Sequence, residues 1–385
     1  MKILFFTTIL LSQNRNGGEV GTQCFIDALR HNGHQVLVVG YLRKGDTVET
    51  DSQNILVVDE RYTETKKAKF YSTLYWLTFS FFKGLPYSSA KYYSANYLRI
   101  AKKLLSSGDY GVVIIDHPQL SWLEHFVKAK DKLITISHNL EHELYQETSN
   151  KANSFISKFI YRREAHMIKA QEDRLATRVK QVWTVTEHDA KYFSGLEGAA
   201  RAIAFTQPPA SEKLLDKPLS KNFDIGLLAS WTWQANQEAL QWFLQAVYPQ
   251  LPAHLSIHVA GKGADWLTEK YPNIQYRGLV PDAQEFMAQA KVVAIPTLSG
   301  GGIQIKTLDA IASGSAIVAT PVALRGIHDP PTTVQVAQEP EEFANLLVST
   351  IASPSGQQAF NEARRWYQAR RNKFLTDVAY AINEL

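Results

Sequence analysis

The chain opens with a continuous apolar run at Ile3–Thr8. Such a run reads as a strand covered on both faces, because a half-exposed strand alternates instead. Asn16-Gly17-Gly18 is the expected turn. Over Glu19–His31 the apolar positions Val20, Cys24, Phe25, Ala28 and Leu29 fall at helical spacing, and Gly33 closes the helix. Val36–Val39 is the next strand, which completes a βαβ opening with a right-handed crossover. Further strands are expected at Ile55–Val58, Val112–Ile115, Leu133–Ser137 and Val182–Val185. A long basic helix is expected over about Asn153–Arg178.

A linker rich in proline and polar residues, Thr206–Lys221 with Pro208, Pro209 and Pro218, separates this half from a second α/β run. The pattern there predicts strands at Ile225–Ala229, Leu255–Ala260, Val292–Ile295 and Ala316–Ala319. It predicts helices at Asn236–Gln245, capped by Asn236, at Ala283–Ala290, and from the glycines at 300–302 to Ser313, with Gly314 closing the last. A charged helix runs from about Gln357 to Leu385. The expectation is two doubly wound domains, residues 1–206 and 221–356, with the helix at about 360–385 packing back on the first.

Composition narrows the function classes. A length of 385 residues suits two domains. Forty-five per cent hydrophobic against 20% charged residues argues against disorder. The single cysteine, Cys24, excludes an internal disulfide framework and a multi-cysteine zinc site. It suits a reducing compartment, and a cytoplasmic location is expected. No window reaches the roughly 18 apolar residues of a spanning helix. The apolar start could pass for a short signal peptide, but it runs straight into a glycine loop and reads better as a buried first strand.

A net charge of +4 does not call for nucleic acid, and no nucleic-acid motif is present. The distribution says more. Arg61–Lys103 holds nine Lys/Arg, one acid (Glu64) and twelve aromatics, a composition that suits peripheral contact with an anionic membrane surface or an amphiphilic acceptor. A packed pair of helices with the aromatics in the core would read the same way.

The candidate chemistry sits at strand ends and glycine turns. Gly17 and Gly18 let a backbone approach an anion closely, or form a plain βα turn. Gly300-Gly301-Gly302-Ile303-Gln304 leads into a helix on which Lys306 and Asp309 share a face. That pairing suits a diphosphate and a ribose; the plainer alternative is a surface ion pair. His117 and His138 each follow a strand at the edge where ligands bind in parallel sheets, and Asp116 could orient one of the rings or be a solvated loop acid. His138 and His142 do not make a zinc motif, no Asp-x-Asp pair is present, and no nucleophile elbow occurs, so no metal and no serine nucleophile are expected.

These residues resemble a family. Lys2-Ile3-Leu4 with Gly17-Gly18, Gly33-His34-Gln35-Val36, Ser137-His138-Asn139-Leu140-Glu141, Arg277–Asp282, Gly301–Ala312 and Arg325-Gly326 are similar to the retaining GT-B glycosyltransferases, family 4-like (group 1). The resemblance implies two Rossmann-like domains facing each other across a cleft, and a nucleotide-sugar donor. It implies a sugar, lipid-linked or other hydroxyl acceptor, no metal or other cofactor, and work in polysaccharide, glycolipid or glycoconjugate synthesis. It implies that Gly17, Gly18 and Lys306 contact the donor diphosphate, that Gly301 stands where the family's first Glu touches the sugar, and that Asp309 replaces the ribose-binding Glu. It implies that His117, or else His138, lies near the sugar. The stretch Ala229–Asn236 lacks the Arg/Lys pair many members carry there. A nucleotide-sugar epimerase or a non-catalytic surface-binding protein would share the fold.

Overall fold

A computed structural model describes residues 1–10, 17–47, 54–62, 70–210, 214–353 and 356–385. The chain divides into two compact units, Met1–Phe205 with Phe374–Leu385, and Thr206–Lys373.

Unit 1 contains β1 (Lys2–Ile9), α1 (Gly17–His31), β2 (Gln35–Arg43), β3 (Ile55–Arg61), α2 (Phe70–Lys83), α3 (Tyr87–Ala90), α4 (Ala95–Ser106), β4 (Val112–Asp116), β5 (Leu133–Ser137), α5 (Glu141–Lys151), α6 (Phe155–Ala176), β6 (Gln181–Thr184), α7 (Glu187–Ser194) and β7 (Arg201–Ala204). Its strands form one parallel sheet in the order β3-β2-β1-β4-β5-β6-β7. The apolar run of the first strand lies at the sheet centre, with Ile3, Leu4, Phe5 and Phe6 wholly buried. Gly17 and Gly18 belong to the first turn of α1 rather than to a turn before it, and Asn16 lies outside the described residues.

Unit 2 contains β8 (Phe223–Leu228), α8 (Gln234–Trp242), β9 (Ile257–Ala260), β10 (Ile274–Gly278), α9 (Ala283–Gln289), β11 (Ala290–Ile295), α10 (Ile305–Ala312), β12 (Ala316–Ala319), β13 (Val334–Val336), α11 (Pro340–Ala352) and the first part of α12 (Gln357–Asn383). The sheet order is β10-β9-β8-β11-β12-β13, again parallel. The expected cap at Asn236 is corrected: α8 starts two residues earlier, after Trp233, and Asn236 lies inside its first turn. The end of α12 belongs to unit 1, where Phe374 stacks 5.0 Å from Phe25 and the Gln181 side-chain amide donates to the Ala381 carbonyl at 3.0 Å.

Both sheets are therefore wound outward in two directions from their first strand. The reversal falls between β1 and β4 in unit 1, and between β8 and β11 in unit 2. Connections leave such a point on opposite sides and open a crevice at the carboxyl ends of the strands.

Candidate active site

In unit 1 the switch point holds a buried polar network. Asp116 ends β4 and is fully buried. It accepts hydrogen bonds from Thr7 Oγ1 on β1 at 2.8 Å and from Thr22 Oγ1 on α1 at 2.7 Å. His138 Nε2, just past β5, lies 2.8 Å from its other oxygen. Four elements thus meet on one carboxylate. His117 follows directly, held at φ 74° while its N–H donates to the Ile136 carbonyl. A non-glycine residue in that left-handed region is strained, and such strain gathers at functional sites. Its ring lies 4.5 Å from that of His138, and its Nε2 is 3.5 Å from Asp116.

The electrostatics follow from this packing. Burial alone would raise the Asp116 pKa, but the two neighbouring histidines and the hydrogen bonds from His138 and Thr22 outweigh it, and the pKa falls to about 2. Burial lowers the His117 pKa to about 4, against the pull of Asp116, so the ring is neutral at pH 7. Asp116 is thus no solvated loop acid. Asp116, His117 and His138 each offer a ligand atom within 4.8 Å of the others, a spacing a metal ion accepts. Both carboxylate oxygens of Asp116 already serve as acceptors within the protein.

In unit 2 the switch point is built differently. The loop after β11 carries Gly300 at φ 129° and Gly302 at φ 64°, conformations that suit glycine. Gln304 precedes α10 and makes no side-chain cap, and α8 is likewise uncapped. Side-chain caps are made at α4, α6, α7 and α9, by Ser94, Ser154, Thr186 and Asp282, whereas α3, α5 and α11 also start without one. An uncapped helix start keeps backbone N–H groups for an outside acceptor. Lys306 lies in the first turn of α10, and its Nζ donates to Asn236 Oδ1 at 2.8 Å. The Asn236 amide in turn donates to the Ser230 carbonyl at 2.9 Å. The two helix starts are tied together through this lysine. Burial lowers the Lys306 pKa to about 8, which leaves it mostly charged at pH 7. Gly301, Ile303, Gln304 and Asp309 are partly exposed around it, with Asp309 one turn along α10 on the Lys306 side.

Three of these contributors escaped the sequence reading. Thr7 and Thr22 lie 109 and 94 residues from Asp116 and carry no local signal. Asn236 looked like a cap. Arg325, noted only as part of a resemblance, donates to the Gly300 carbonyl at 2.6 Å and brings an exposed guanidinium to the glycine loop. The loop after β8 has no cation, but its shape is fixed. The Trp231 indole donates to the Ala260 carbonyl at 2.8 Å, and a Cβ at Gly261 would lie 1.9 Å from the Ala229 oxygen.

Unit 1 also has a cavity of about 570 Å³ beside the carboxyl ends of β2 and β3. Its lining includes Lys44, Asp59, Arg61, Tyr75, Trp76 and Tyr93. Aromatic faces with a few charged groups among them are the usual lining of a small-molecule site.

The fold is GT-B. It is similar along its whole length to sucrose-phosphate synthase from Thermosynechococcus elongatus, with a TM-score of 0.67 and 13% identity over 100% of this chain and 97% of that one. WaaG, a glycosyltransferase involved in lipopolysaccharide biosynthesis, gives 0.64 at 15% identity over 99% of both chains. The Anabaena protein HepE in complex with UDP and glucose gives 0.60 at 13% identity, over 100% of this chain and 98% of that one. Residues 222–353, most of unit 2, match the family described as "Glycosyl transferases group 1". The resemblance to GT-B glycosyltransferases thus holds for the fold along the chain and for the family in unit 2. No curated protein matches the sequence.

Proposed function

We propose that the chain transfers a sugar from a nucleotide-diphosphate donor to a hydroxyl acceptor, with retention of anomeric configuration and without a metal. One observation carries this reading. The segment that matches the group 1 glycosyltransferases contains the glycine loop, the two uncapped helix starts and Lys306, gathered at the switch point of its sheet. Two structural neighbours, HepE with UDP and glucose and VinC with dTDP, hold nucleoside diphosphates and support a donor of that chemistry.

The residues would divide the work as follows. As the bond from the anomeric carbon to the diphosphate breaks, negative charge collects on the leaving phosphate. The first-turn N–H groups of α10 and the Lys306 ammonium stabilise it, and Arg325 adds a second positive charge at the loop. Asp309 accepts from the ribose hydroxyls. Gly301 has no side chain and cannot form a covalent intermediate. The acceptor oxygen therefore attacks from the face the diphosphate leaves, and its proton passes to a departing phosphate oxygen. In unit 1 neutral His117 hydrogen-bonds the sugar, while Asp116 holds the neighbouring His138 ring in one orientation. Gly17 and Gly18, in the first turn of α1, contribute N–H groups toward the diphosphate. The cavity lined by Tyr75, Trp76 and Tyr93 takes the acceptor: its rings pack on the apolar face of a sugar while Asp59, Arg61 and Lys44 reach hydroxyls. The cytoplasm is the expected compartment, in keeping with the single cysteine, Cys24.

Thermal shift against a panel of nucleoside mono- and diphosphates, followed by NMR of the product's anomeric proton, tests the reading. Selective stabilisation by one diphosphate and a product with the donor's anomeric configuration are expected. No stabilisation by any diphosphate would remove the transferase reading. Conversion of the sugar without an acceptor would make the chain an epimerase. Activity that is lost to a chelator and restored by manganese would overturn the metal-free step.

A further inference from the structure

The aromatic and basic stretch at 61–103 divides on inspection. Glu64, Lys66, Lys67 and Lys69 lie outside the described residues. Tyr97 is wholly buried, Trp76 nearly so, and Tyr93 packs 4.9 Å from Trp122, so much of the stretch is core. The outer face of α2 is not. Trp76 and Ser80, one turn apart, face inward, while Leu74, Tyr75, Leu77, Phe81 and Phe82 point to solvent, Phe82 at 84% exposure. A helix apolar all round normally has both sides covered.

A second exposed stripe occurs on α6. Phe155, Ile156, Phe159 and Ile160 recur at helical spacing over the first two turns of α6, and Phe155 is 94% exposed. The helices are joined where these stripes end. Arg163 Nη1 on α6 lies 3.5 Å from Ser80 Oγ on α2, and both Glu164 carboxylate oxygens accept from the Tyr87 N–H at 2.9 Å. Phe159 and Ile160 sit about one turn, roughly 5 Å, before that junction. Phe81 and Phe82 follow Ser80 directly. Soluble chains rarely leave an apolar patch of this kind uncovered.

On α2 and the first two turns of α6 the charges are all basic, while Arg163 pairs with the buried Glu164 and Arg162 shares a pocket with Glu143 and Glu147 of α5. Lys83 follows Phe82, Lys158 lies between the two apolar pairs of α6, and Arg162 and Arg163 follow; no acid occurs from 70 to 103 or from 151 to 163. A second copy of the chain would set like charges against each other. An anionic bilayer would take the rings into its interface and the cations against its headgroups. No helix among the described residues is long and apolar enough to cross a membrane, so the contact is peripheral.

We propose that the outer face of α2 and the first two turns of α6 form one membrane-docking surface, specific for bilayers with anionic headgroups. The proposal does not depend on glycosyl transfer. Tyr75 belongs both to this surface and to the cavity proposed for the acceptor, which would suit an acceptor carried on a lipid.

Flotation of the full chain with vesicles is the test. Binding to phosphatidylcholine vesicles containing phosphatidylglycerol should exceed binding to pure phosphatidylcholine by about ten-fold or more at low salt, and fall at high salt. A variant with Phe81, Phe82, Phe155 and Phe159 all changed to Ser should keep its circular dichroism spectrum, since these side chains are exposed, and lose binding by about ten-fold or more. A second variant, Lys158→Glu with Arg162→Glu, should lose only the preference for anionic lipid. Absence of binding to either vesicle at low salt would overturn the proposal. So would equal binding by the serine variant, or concentration-dependent dimerisation of the wild type that the serine variant abolishes without any vesicle binding.

Discussion

The two switch points share a topology and differ in what they leave open. In unit 1 the carboxylate of Asp116 already accepts from Thr7, Thr22 and His138, and it is sealed from solvent. At the unit 2 switch point α8 and α10 start without a side-chain cap, and a half-buried lysine is steadied by a neutral amide rather than neutralised by an acid. A saturated network fixes geometry, whereas an unsaturated one binds. The contrast assigns orientation to the first site and anion recognition to the second, and substitutions should separate the two.

The largest effect is expected in the saturated site. Asp116→Ala leaves three donors facing a void and should cost about 3–5 kcal/mol of stability, as removal of one partner from a buried charged network does. Urea denaturation measures it, and a loss below about 1 kcal/mol would mean the network holds nothing together. His117→Ala should spare the fold and the nucleotide site but lower turnover by about a hundred-fold or more, the cost of a missing donor near a reacting sugar. If turnover survives there and collapses in His138→Ala, the roles of the two rings are exchanged.

In the open site, Lys306→Ala removes a charge-assisted hydrogen bond worth about 1.5–3 kcal/mol, so diphosphate affinity should fall about ten- to a hundred-fold. Lys306→Arg should restore only part of it, and the nucleoside without phosphates should bind equally to all three chains. Calorimetry that finds wild-type affinity in Lys306→Ala would make this a surface lysine and end the assignment.

Acidification probes the first site more gently. The folded-state pKa of His117 is near 4, below the 6.5 of the unfolded chain. From pH 6.5 down to about 4 the unfolded chain therefore takes up this proton first, and His117 makes the fold less stable as pH falls. Glu141 acts in the opposite direction. Burial, then the neighbouring Glu172 charge, push its pKa up to about 7, so the folded chain binds that proton first and gains stability as pH falls from 7 toward 4.5. His117→Gln keeps Glu141 and removes only the first effect. The stability difference between wild type and variant should therefore shift in the variant's favour between pH 6.5 and 4; a pH-independent difference in urea midpoints would show that His117 is not held neutral by its surroundings. The smallest change is Asn236→Ala. It frees Lys306 from its anchor at about 0.5–1.5 kcal/mol, and a several-fold weaker diphosphate affinity with unchanged stability is expected. Wild-type affinity in this variant would mean that the amide does not position the lysine.

What the sequence made legible follows from burial. β5 and β12 were read to the residue, because both are buried at every position and are rich in apolar residues, β12 without a break and β5 with only Thr135 and Ser137 among them. β7, β10 and β13 went unseen: all three are sheet edges with exposed or half-buried positions, so no run marks them. His117 and His138 were legible as residues at strand ends. Their shared carboxylate was named beside them, but what holds it was hidden, since Thr7 and Thr22 join it only through the fold. The glycine loop and Lys306 stood out because glycines before a helix have few other uses. Asn236 was misread because an asparagine at a helix start is more often a cap than a side-chain acceptor.

The path of the chain also bears on how the molecule is made. Unit 2 is one unbroken segment, Thr206–Lys373, whereas unit 1 is interrupted by it and resumes only at Phe374. The ring of Phe374 packs on both Phe25 and Phe205, in the interior of the unit begun first. During synthesis the later segment can fold as soon as it leaves the ribosome, because all its parts are then present. The earlier one must wait with that aromatic cluster open until Phe374–Leu385 has emerged. A chain cut between Lys373 and Phe374 would therefore carry a finished second unit and an unfinished first one, with its defect far from the cut in sequence.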